Sequence, residues 1–559
     1  MCAGGETQAI AARAANARLS PDDLQLSGSS KCQRGQELGG APFQTRTAPR
    51  RRTAHVSQLA DLGVAEALSA LGAGECSSAA LVAACVERVR CRDRRFGAFI
   101  RTYDEEALAA ARDSDERRAR GAARPLEGVP IAVKDLIGVQ GKPLTGDSAL
   151  LEGNVAAEDS AVWARLRAAG MVLVGHLHCG ELAYGHWGVN PWDATISPGG
   201  SSSGSGIALA ARLVPAALGT DTRGSVRMPA AFTGCTALKP TNGLISTAGC
   251  IPLAFSYDTV GPMARSAADC AALLAAIVPP EASGWPDRLR SASPRPGPRP
   301  LAGLRVGVPD IASELSAGVA SAFKEFCDLI GALGARCVAF SWPTNPLEAM
   351  LDAGPLWWSI LGSEAAIVHE QFQGLEHLYR DEFRNLFRPV MAPVTAGQYL
   401  HAQQARVELR ARWSEVFAGL GLHAILHPAC KDEAYPAGSE VSTELMSRLM
   451  FGVWSDAGFP VLSIPAGRSP TDGTPVGLQL VGLPFCEPAL LQIGIDIQAN
   501  SDFHSAVPPG LDDDGPDYIG PLRRESGRAA SFVAPPDPFD VLLTTAGRPR
   551  AGSCPAEQP

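Results

Sequence analysis

The sequence predicts an α/β protein, with one large domain in which helices cover both sides of a mixed central β-sheet. Apolar runs of strand length at 128–135 and 171–175 enclose the segment 160–169, whose apolar residues recur at helical spacing. Strand-like and helix-like segments alternate again between 304 and 340. The 559 residues are 46% hydrophobic, which is enough for a large core.

Helical and strand-like patterns follow one another along the chain. Helices are predicted over 56–120, 160–169, 207–213, 317–334 and 346–424. Strands are predicted at 128–135, 171–175, 304–308, 337–340, and twice within 451–482. The segment 279–303 contains seven prolines and is predicted to be a surface loop.

Both ends of the chain differ from this central domain, which is predicted to span 55–500. Residues 1–54 are rich in Gly, Ser, Gln and Ala and end in three arginines, 50–52. This composition predicts a poorly ordered N-terminal extension, with a targeting or nucleic-acid-binding arm as the alternative. Residues 501–559 are rich in proline and include three consecutive aspartates, which predicts a poorly ordered tail without its own core.

Charge and cysteine content exclude several classes of protein. Lys and Arg number 49 against 58 Asp and Glu, a net charge of −9, which argues against a nucleic-acid binder. The 14 cysteines are scattered and form no Cys-x-x-Cys pair, so neither a disulfide framework nor a zinc ribbon is expected. With no apolar run of about 18 residues and no secretory signal, we expect a cytoplasmic protein with no membrane or nucleic-acid partner.

Four motifs carry residues suited to catalysis. They are the Val-Lys-Asp at 133–135, the Gly/Ser-rich loop at 198–206, the Gly-Thr-Asp-Thr-Arg-Gly-Ser segment at 219–225, and the Leu-Lys-Pro-Thr-Asn-Gly of 238–243 with the Tyr-Asp-Thr-Val-Gly that follows at 257–261. Each motif alone also fits a structural role, as a solvated strand end, a flexible loop or a simple turn. Their joint occurrence makes the structural interpretation insufficient.

Together these motifs resemble the amidase signature family, and the resemblance extends from about residue 58 to 500. It implies that 55–500 is an amidase domain with a Ser-Ser-Lys triad: Ser225 as nucleophile, Ser201 as bridging serine and Lys134 as general base. The two serines are 24 residues apart, as in that family. The implied activity is hydrolysis of the C–N bond of a small-molecule carboxylic amide through an acyl-enzyme, without a metal or organic cofactor.

The chemistry of such a triad sets requirements that do not depend on the resemblance. A serine hydroxyl is a weak nucleophile until its proton is removed, and a lysine can accept that proton only when its amine is neutral. Burial favours the neutral amine by lowering its pKa, so Lys134 is expected to lie in the core. The resemblance further implies a cis peptide bond between Gly200 and Ser201.

The resemblance places the oxyanion hole in the turn that leads to the nucleophile. The donors would be backbone N–H groups of Thr222, Arg223, Gly224 and Ser225. Arg223 departs from the usual Gly-Gly-Ser of the family, although an arginine keeps its N–H. Its side chain is expected to point into solvent or to pair with an acid, with contact to an anionic substrate as the alternative.

Three further residues are predicted to support the turn rather than to react. Asp221 is expected to hold the turn through backbone N–H groups, and Ser202 to support the neighbouring loop. For Arg227 an ion pair is favoured over contact with substrate.

Other interpretations of the same residues are weaker. Residues 200–204 formally match the nucleophile elbow G-x-S-x-G, but two prolines precede them where a strand is required. A cluster of metal-binding residue types lies at His176, His178, Cys179, Glu181 and His186, without a zinc-type spacing. The Gly-rich loop lacks the Gly-Lys-Ser/Thr ending of a phosphate-binding loop.

The substrate remains open at this stage. Aryl or alkyl amides, a role as catalytic subunit of a glutamine-dependent tRNA amidotransferase, and hydrolysis of allophanate or another ureido acid all fit the motifs. An allophanate-type enzyme would need a basic residue such as Arg223 or Arg227 at the pocket. Trp357 and Trp358 are expected in the core, with a pocket wall as the alternative, and 427–436 is a second candidate wall. A homodimer is one expectation from the resemblance.

Overall fold

The computed structural model describes residues 56–282, 284–342, 355–439, 443–513 and 517–518. Among these residues the helices are α1 Val56–Leu59, α2 Val64–Ala73, α3 Ser78–Phe96, α4 Asp104–Ala119, α5 Ala161–Ala169, α6 Ser203–Ala210, α7 Arg227–Thr233, α8 Ala267–Ile277, α9 Trp285–Ser291, α10 Ala317–Ala332, α11 Pro355–His369, α12 Ala396–Leu420, α13 Thr443–Arg448, α14 Gly452–Ala457 and α15 Glu487–Gln498. The strands are β1 Phe99–Thr102, β2 Pro130–Lys134, β3 Val172–Leu177, β4 Ala216–Asp221, β5 Thr236–Lys239, β6 Thr259–Ala264, β7 Arg305–Pro309, β8 Arg336–Phe340, β9 Ala424–Pro428, β10 Val461–Arg468 and β11 Pro475–Val481.

The strands form one 11-stranded sheet in the order β1-β3-β2-β4-β6-β5-β10-β11-β9-β7-β8. Strands β3, β2 and β4 run parallel, as do β9, β7 and β8, and the pairs between these two groups are antiparallel. The predicted mixed sheet is therefore confirmed.

Helices cover both faces of this sheet because the strands are apolar on both sides. In β2, Ile131 and Val133 pack in one cluster with residues of α5 and α8, whereas Ala132 packs in another with residues of α3 and α6. This alternation follows from the two-residue period of a strand. The predicted α/β domain with helices on both sides is confirmed.

Local signals set the ends of several predicted helices. Helix α5 begins after Ser160, whose Oγ accepts a hydrogen bond from the Trp163 N–H, and it ends at Gly170, which has a φ of 99°. The Ser side chain satisfies one of the free N–H groups of the first turn, and the glycine adopts the left-handed conformation without strain.

The structure differs from the predicted elements at several points. Helix α6 begins at Ser203 rather than at 207, inside the Gly/Ser-rich loop. Residues 452–457, predicted within a strand region, form α14, and 285–291 of the proline-rich segment form α9. Strands β1, β4, β5, β6 and β9 were not predicted.

The predicted extension 1–54 lies outside the described residues, and so do 519–559 of the predicted tail. Within the described part of that tail, Leu511 is buried in the same cluster as α3 and α6. Tyr518 donates its backbone N–H to the carbonyl oxygen of Arg94 at 2.7 Å. Over the described residues, no helix combines the length and the hydrophobicity needed to cross a membrane.

Candidate active site

Lys134 lies at the carboxyl end of β2, between the parallel strands β3 and β4, and its side chain is fully buried. Its Nζ is 2.7 Å from Ser201 Oγ and 2.9 Å from the Oγ1 of Thr220 on β4. Burial lowers the pKa of the amine to about 8. A lysine with this pKa is partly neutral near pH 7, which is the requirement for a general base.

The strand end is held in place by the residue that follows Lys134. Asp135 is buried and pairs with Arg101 at 2.8 Å, and it also accepts the hydroxyl hydrogen bond of Thr145 at 2.5 Å. The Val-Lys-Asp motif therefore combines a buried amine with the carboxylate that fixes the chain beside it.

Ser201 lies in the Gly/Ser-rich loop and is 2% exposed. The peptide bond between Gly200 and Ser201 is cis, as the resemblance implied. A Cβ at position 200 would lie 2.2 Å from the carbonyl oxygen of Gly185, so only glycine fits this close approach. The Ser201 carbonyl oxygen accepts a hydrogen bond from the Gly180 N–H at 3.1 Å.

The loop of Ser201 and the turn of Ser225 are joined directly. The N–H of Ser202 donates to the carbonyl oxygen of Ser225 at 3.1 Å, and the Ser202 hydroxyl donates to the carbonyl oxygen of Thr220 at 3.2 Å. Ser202 thus connects Ser201 to both ends of the segment that carries Ser225. This explains why α6 begins directly after it, inside the Gly/Ser run.

Ser225 is partly exposed at the base of a pocket that Ser201 also lines. Its hydroxyl makes no hydrogen bond within the part of the chain that the structure describes. The structure therefore brings Lys134 and Ser201 into contact and places Ser225 beside them with its hydroxyl open to the pocket.

Asp221, at the end of β4, organises the turn before Ser225. Its Oδ1 accepts a hydrogen bond from the Gly224 N–H at 2.7 Å, and its Oδ2 accepts one from the Val226 N–H at 3.2 Å. This is the supporting contact predicted for Asp221. It also corrects the predicted oxyanion hole, because the Gly224 N–H is committed to this carboxylate and not to the pocket.

Arg227 forms the ion pair that the sequence analysis favoured. Its Nε lies 2.9 Å from Asp221 Oδ2, and both side chains are fully buried. The same guanidinium donates to Ser455 Oγ at 2.7 Å and to Gln479 Oε1 at 3.0 Å. The Arg227 charge keeps the pKa of Asp221 below its usual value in spite of burial. Arg227 is thus a structural support of the turn.

A second buried carboxylate lies on the other side of this turn. Asp258 accepts the Thr222 hydroxyl hydrogen bond at 2.5 Å and the N–H groups of Leu253 and Ala254 at 2.8 and 3.1 Å. Burial raises the pKa of this carboxyl to about 7. Asp258 belongs to the Tyr-Asp-Thr motif, but its contact with the predicted oxyanion turn was not foreseen.

The residue types that suggested a metal site are used in other contacts. His178 Nδ1 is 2.7 Å from Asp147, and Glu181 accepts the hydroxyl hydrogen bond of Ser148 at 2.6 Å. His176 lies 2.8 Å from the Tyr103 hydroxyl. Over the residues described, no group of three or more His, Cys, Asp or Glu side chains is arranged to hold a metal ion.

A family model described as Amidase matches residues 80–491, which is well over half of the chain. The chain belongs to the amidase family. This confirms the family that the four motifs indicated and agrees with the fold described above.

Similar proteins in the amidase family have two kinds of printed function. The glutamyl-tRNA(Gln) amidotransferase subunit of Chloroflexus aggregans (strain MD-66 / DSM 9485) is 35% identical over 499 residues, covering 81% of this chain and 99% of the relative. The relative of the same name in Anaeromyxobacter dehalogenans (strain 2CP-C) is 37% identical over 475 residues, covering 78% and 95%. The solved structure of native peptide amidase from Stenotrophomonas maltophilia is 27% identical, with a TM-score of 0.68, and covers 82% of this chain and 100% of that chain.

Arg223, which departs from the family's usual glycine, pairs with an acid, as expected. Its Nη2 lies 3.5 Å from Oδ2 of the fully buried Asp456, and its guanidinium carbon lies 4.3 Å from the centre of the Trp357 ring. Trp357 is nearly buried but lines the pocket, so the expectation that it belongs only to the core is wrong.

The pocket walls of this amidase come largely from segments without a sequence motif. Tyr435 lines the pocket, as expected for 427–436, whereas His427 is buried and accepts the Trp454 indole hydrogen bond at 2.6 Å. Sequence analysis missed Tyr184 and Glu382, which also line it. No local pattern in the chain distinguishes these two residues from others of their type.

Proposed function

We propose that this amidase hydrolyses a carboxylic amide with Ser225 as nucleophile, Ser201 as proton bridge and Lys134 as general base. The observation that carries the proposal is the fully buried Lys134 amine, 2.7 Å from the Ser201 hydroxyl oxygen. In the neutral state the amine accepts the Ser201 proton across this contact. Ser201 can then accept the proton of Ser225, because a hydroxyl both donates and accepts.

Each step of the proposed reaction balances. Ser225 Oγ attacks the amide carbonyl carbon, and its proton passes to Ser201 while the Ser201 proton passes to Lys134. The tetrahedral intermediate then breaks its C–N bond, and the leaving amine takes a proton back through Ser201. Water attacks the resulting ester on Ser225 along the reverse proton route and releases the carboxylic acid.

The negative oxygen of the tetrahedral intermediate needs donors that are free of other bonds. The Gly224 N–H is excluded because it donates to Asp221. We assign the hole to the remaining N–H groups of the turn, those of Thr222, Arg223 and Ser225. Removing one such donor typically costs about 2.7–4 kcal/mol of transition-state stabilisation.

The substrate class is proposed as a small-molecule amide, acted on in the cytoplasm. An allophanate-type substrate is disfavoured, because the arginines it would need are both engaged with buried aspartates, Arg223 with Asp456 and Arg227 with Asp221. A homodimer is retained as a prediction.

A second candidate is the catalytic subunit of a tRNA-dependent amidotransferase. It is favoured by the relatives of that name, one of which is 35% identical over nearly its whole length. The purified chain would then release ammonia from glutamine only in the presence of partner subunits, whereas a free-standing amidase hydrolyses amides alone.

Intact-mass spectrometry after exposure to a broad fluorophosphonate tests the nucleophile. We expect one adduct on the native chain and none on Ser225→Ala. Ser291→Ala, which removes an exposed hydroxyl on α9, should label like the native chain. A folded native chain that gains no adduct, or a Ser225→Ala variant that still gains it, would contradict the assignment.

A further inference from the structure

Glu382 is a carboxylate of the pocket that no neighbouring group neutralises. It lines the same pocket as Ser201 and Ser225 and is only partly exposed. No described residue forms a hydrogen bond or an ion pair with it. A half-buried carboxylate without a partner loses hydration for no return, so its position calls for a ligand.

The Glu382 carboxylate lies close to the reacting serines. A Cβ at Gly185 would be 3.3 Å from Glu382 Oε1. The carbonyl oxygen of the same Gly185 would be 2.2 Å from a Cβ at Gly200, the residue before Ser201. Two successive close approaches thus connect Glu382 to the loop of Ser201.

The other charged or titratable groups that line the pocket do not offset this carboxylate. Arg223 pairs with the fully buried Asp456. His186 is uncharged at neutral pH, because burial lowers its pKa. Arg380 precedes Glu382 by two residues, but its guanidinium pairs with Asp147 at 3.0 Å and lies over the Trp187 ring. The described part of the pocket therefore presents a net negative site at Glu382.

Aromatic rings line the pocket beside this carboxylate. Tyr184 and Phe387 stack with their centroids 4.5 Å apart, and both line the pocket. An aromatic face attracts a cation as a carboxylate does. Neither feature favours an anionic substrate.

We infer that Glu382 determines specificity by binding an ammonium group of the substrate, so that this amidase prefers amides that also carry a cationic amine. The inference rests on the proposed function, since it assigns the substrate class of the same pocket. Glu382 acts on binding and not on the proton route, which runs from Ser225 to Lys134.

Two fluorophosphonate series, matched except for the end of the alkyl tail, test this assignment. One series ends in an ammonium group and the other in a methyl group, with tails of graded length. The second-order rate of adduct formation on Ser225 is measured by intact mass for each. We expect the best ammonium probe to label the native chain about 10- to 100-fold faster than its methyl counterpart, the range for a charge-assisted hydrogen bond.

Glu382→Gln should lower the rate for the ammonium probe to near that of the methyl probe and leave the methyl probe unchanged. Glu325→Gln, which removes an exposed carboxylate on α10, is the matched control and should preserve the native ratio. Burial raises the pKa of Glu382, so the preference for ammonium should also decline as the pH falls through that pKa.

The outcomes separate the two proposals. If both series label Ser225 at rates whose ratio is near one, or if Glu382→Gln leaves the ratio intact, the role of Glu382 is refuted and the proposed reaction stands. If no probe of either series labels the folded native chain, the proposed function fails and this inference fails with it.

Discussion

The buried amine of Lys134 makes the rate of acylation depend on pH in a calculable way. Burial lowers its pKa from 10.5 to about 8. At pH 7 about one-tenth of the molecules then carry a neutral amine, against about one in 3,000 for an ordinary lysine. Raising the pH from 7 to 9 should increase the neutral fraction, and with it the rate of adduct formation on Ser225, by about tenfold.

The rate of fluorophosphonate labelling, followed by intact mass between about pH 6 and pH 10, measures this dependence. Lys134→Ala should label slowly, with a larger loss at neutral than at high pH, because hydroxide partly replaces a lost base. Lys324→Ala removes an exposed amine on α10 and should reproduce the native profile.

Two results would refute this reasoning. One is a native labelling rate that is the same at pH 7 and pH 9. The other is a Lys134→Ala loss that is equal at every pH, which would assign the lysine a structural role. An inflection near pH 7 instead of 8 would point to Asp258, whose carboxyl has a pKa raised to about 7.

Further predictions concern the turn that carries the nucleophile. Arg227→Met should lower the free energy of unfolding by about 3–5 kcal/mol, since it leaves the buried Asp221 charge unpaired; a loss below about 1 kcal/mol in urea denaturation would contradict the role of the pair. Ser225→Ala should change that free energy by less than about 0.5 kcal/mol, as measured in the same assay, because its hydroxyl has no partner among the described residues. The Asp258 carboxyl binds its proton more tightly in the folded state, so its contribution to stability falls as the pH rises from about 4 to about 7. Asp258→Asn should remove this trend, about 1.4 kcal/mol per pH unit within that range, although it also weakens the contact with Thr222; an offset from the native chain that is equal at about pH 5 and about pH 7 in urea denaturation would refute it.

The positions of the proposed triad could be predicted because each lies in a short segment with its own local signal. Lys134 ends an apolar strand, and Ser201 and Ser225 lie in Gly-rich turns. The parallel pairing of β2 with β4 then brings the ends of these segments together at one edge of the sheet. Patterns of a few residues are thus sufficient for this part of the site.

Several strands escaped prediction because they lack the alternation that marks a half-exposed strand. Strand β4 reads Ala-Ala-Leu-Gly-Thr-Asp and β6 reads Thr-Val-Gly-Pro-Met-Ala, and every residue of both is buried. Small residues and glycine suit strands covered by helices on both faces, but the same composition is typical of loops. The segment 452–457 was misassigned for the opposite reason, since all its residues are buried although it is a helix.

Specificity depends on contacts that only the tertiary structure creates. Trp357, Glu382 and Tyr435 lie 132 or more residues after Ser225 in the sequence, yet they line its pocket. The proposed proton route is built from strands and turns between residues 134 and 225, whereas much of the pocket wall comes from the helical region after residue 355. A substitution in that region can change the substrate without moving the Lys134–Ser201 contact. The reaction is therefore predictable from motifs, and the choice of substrate is not.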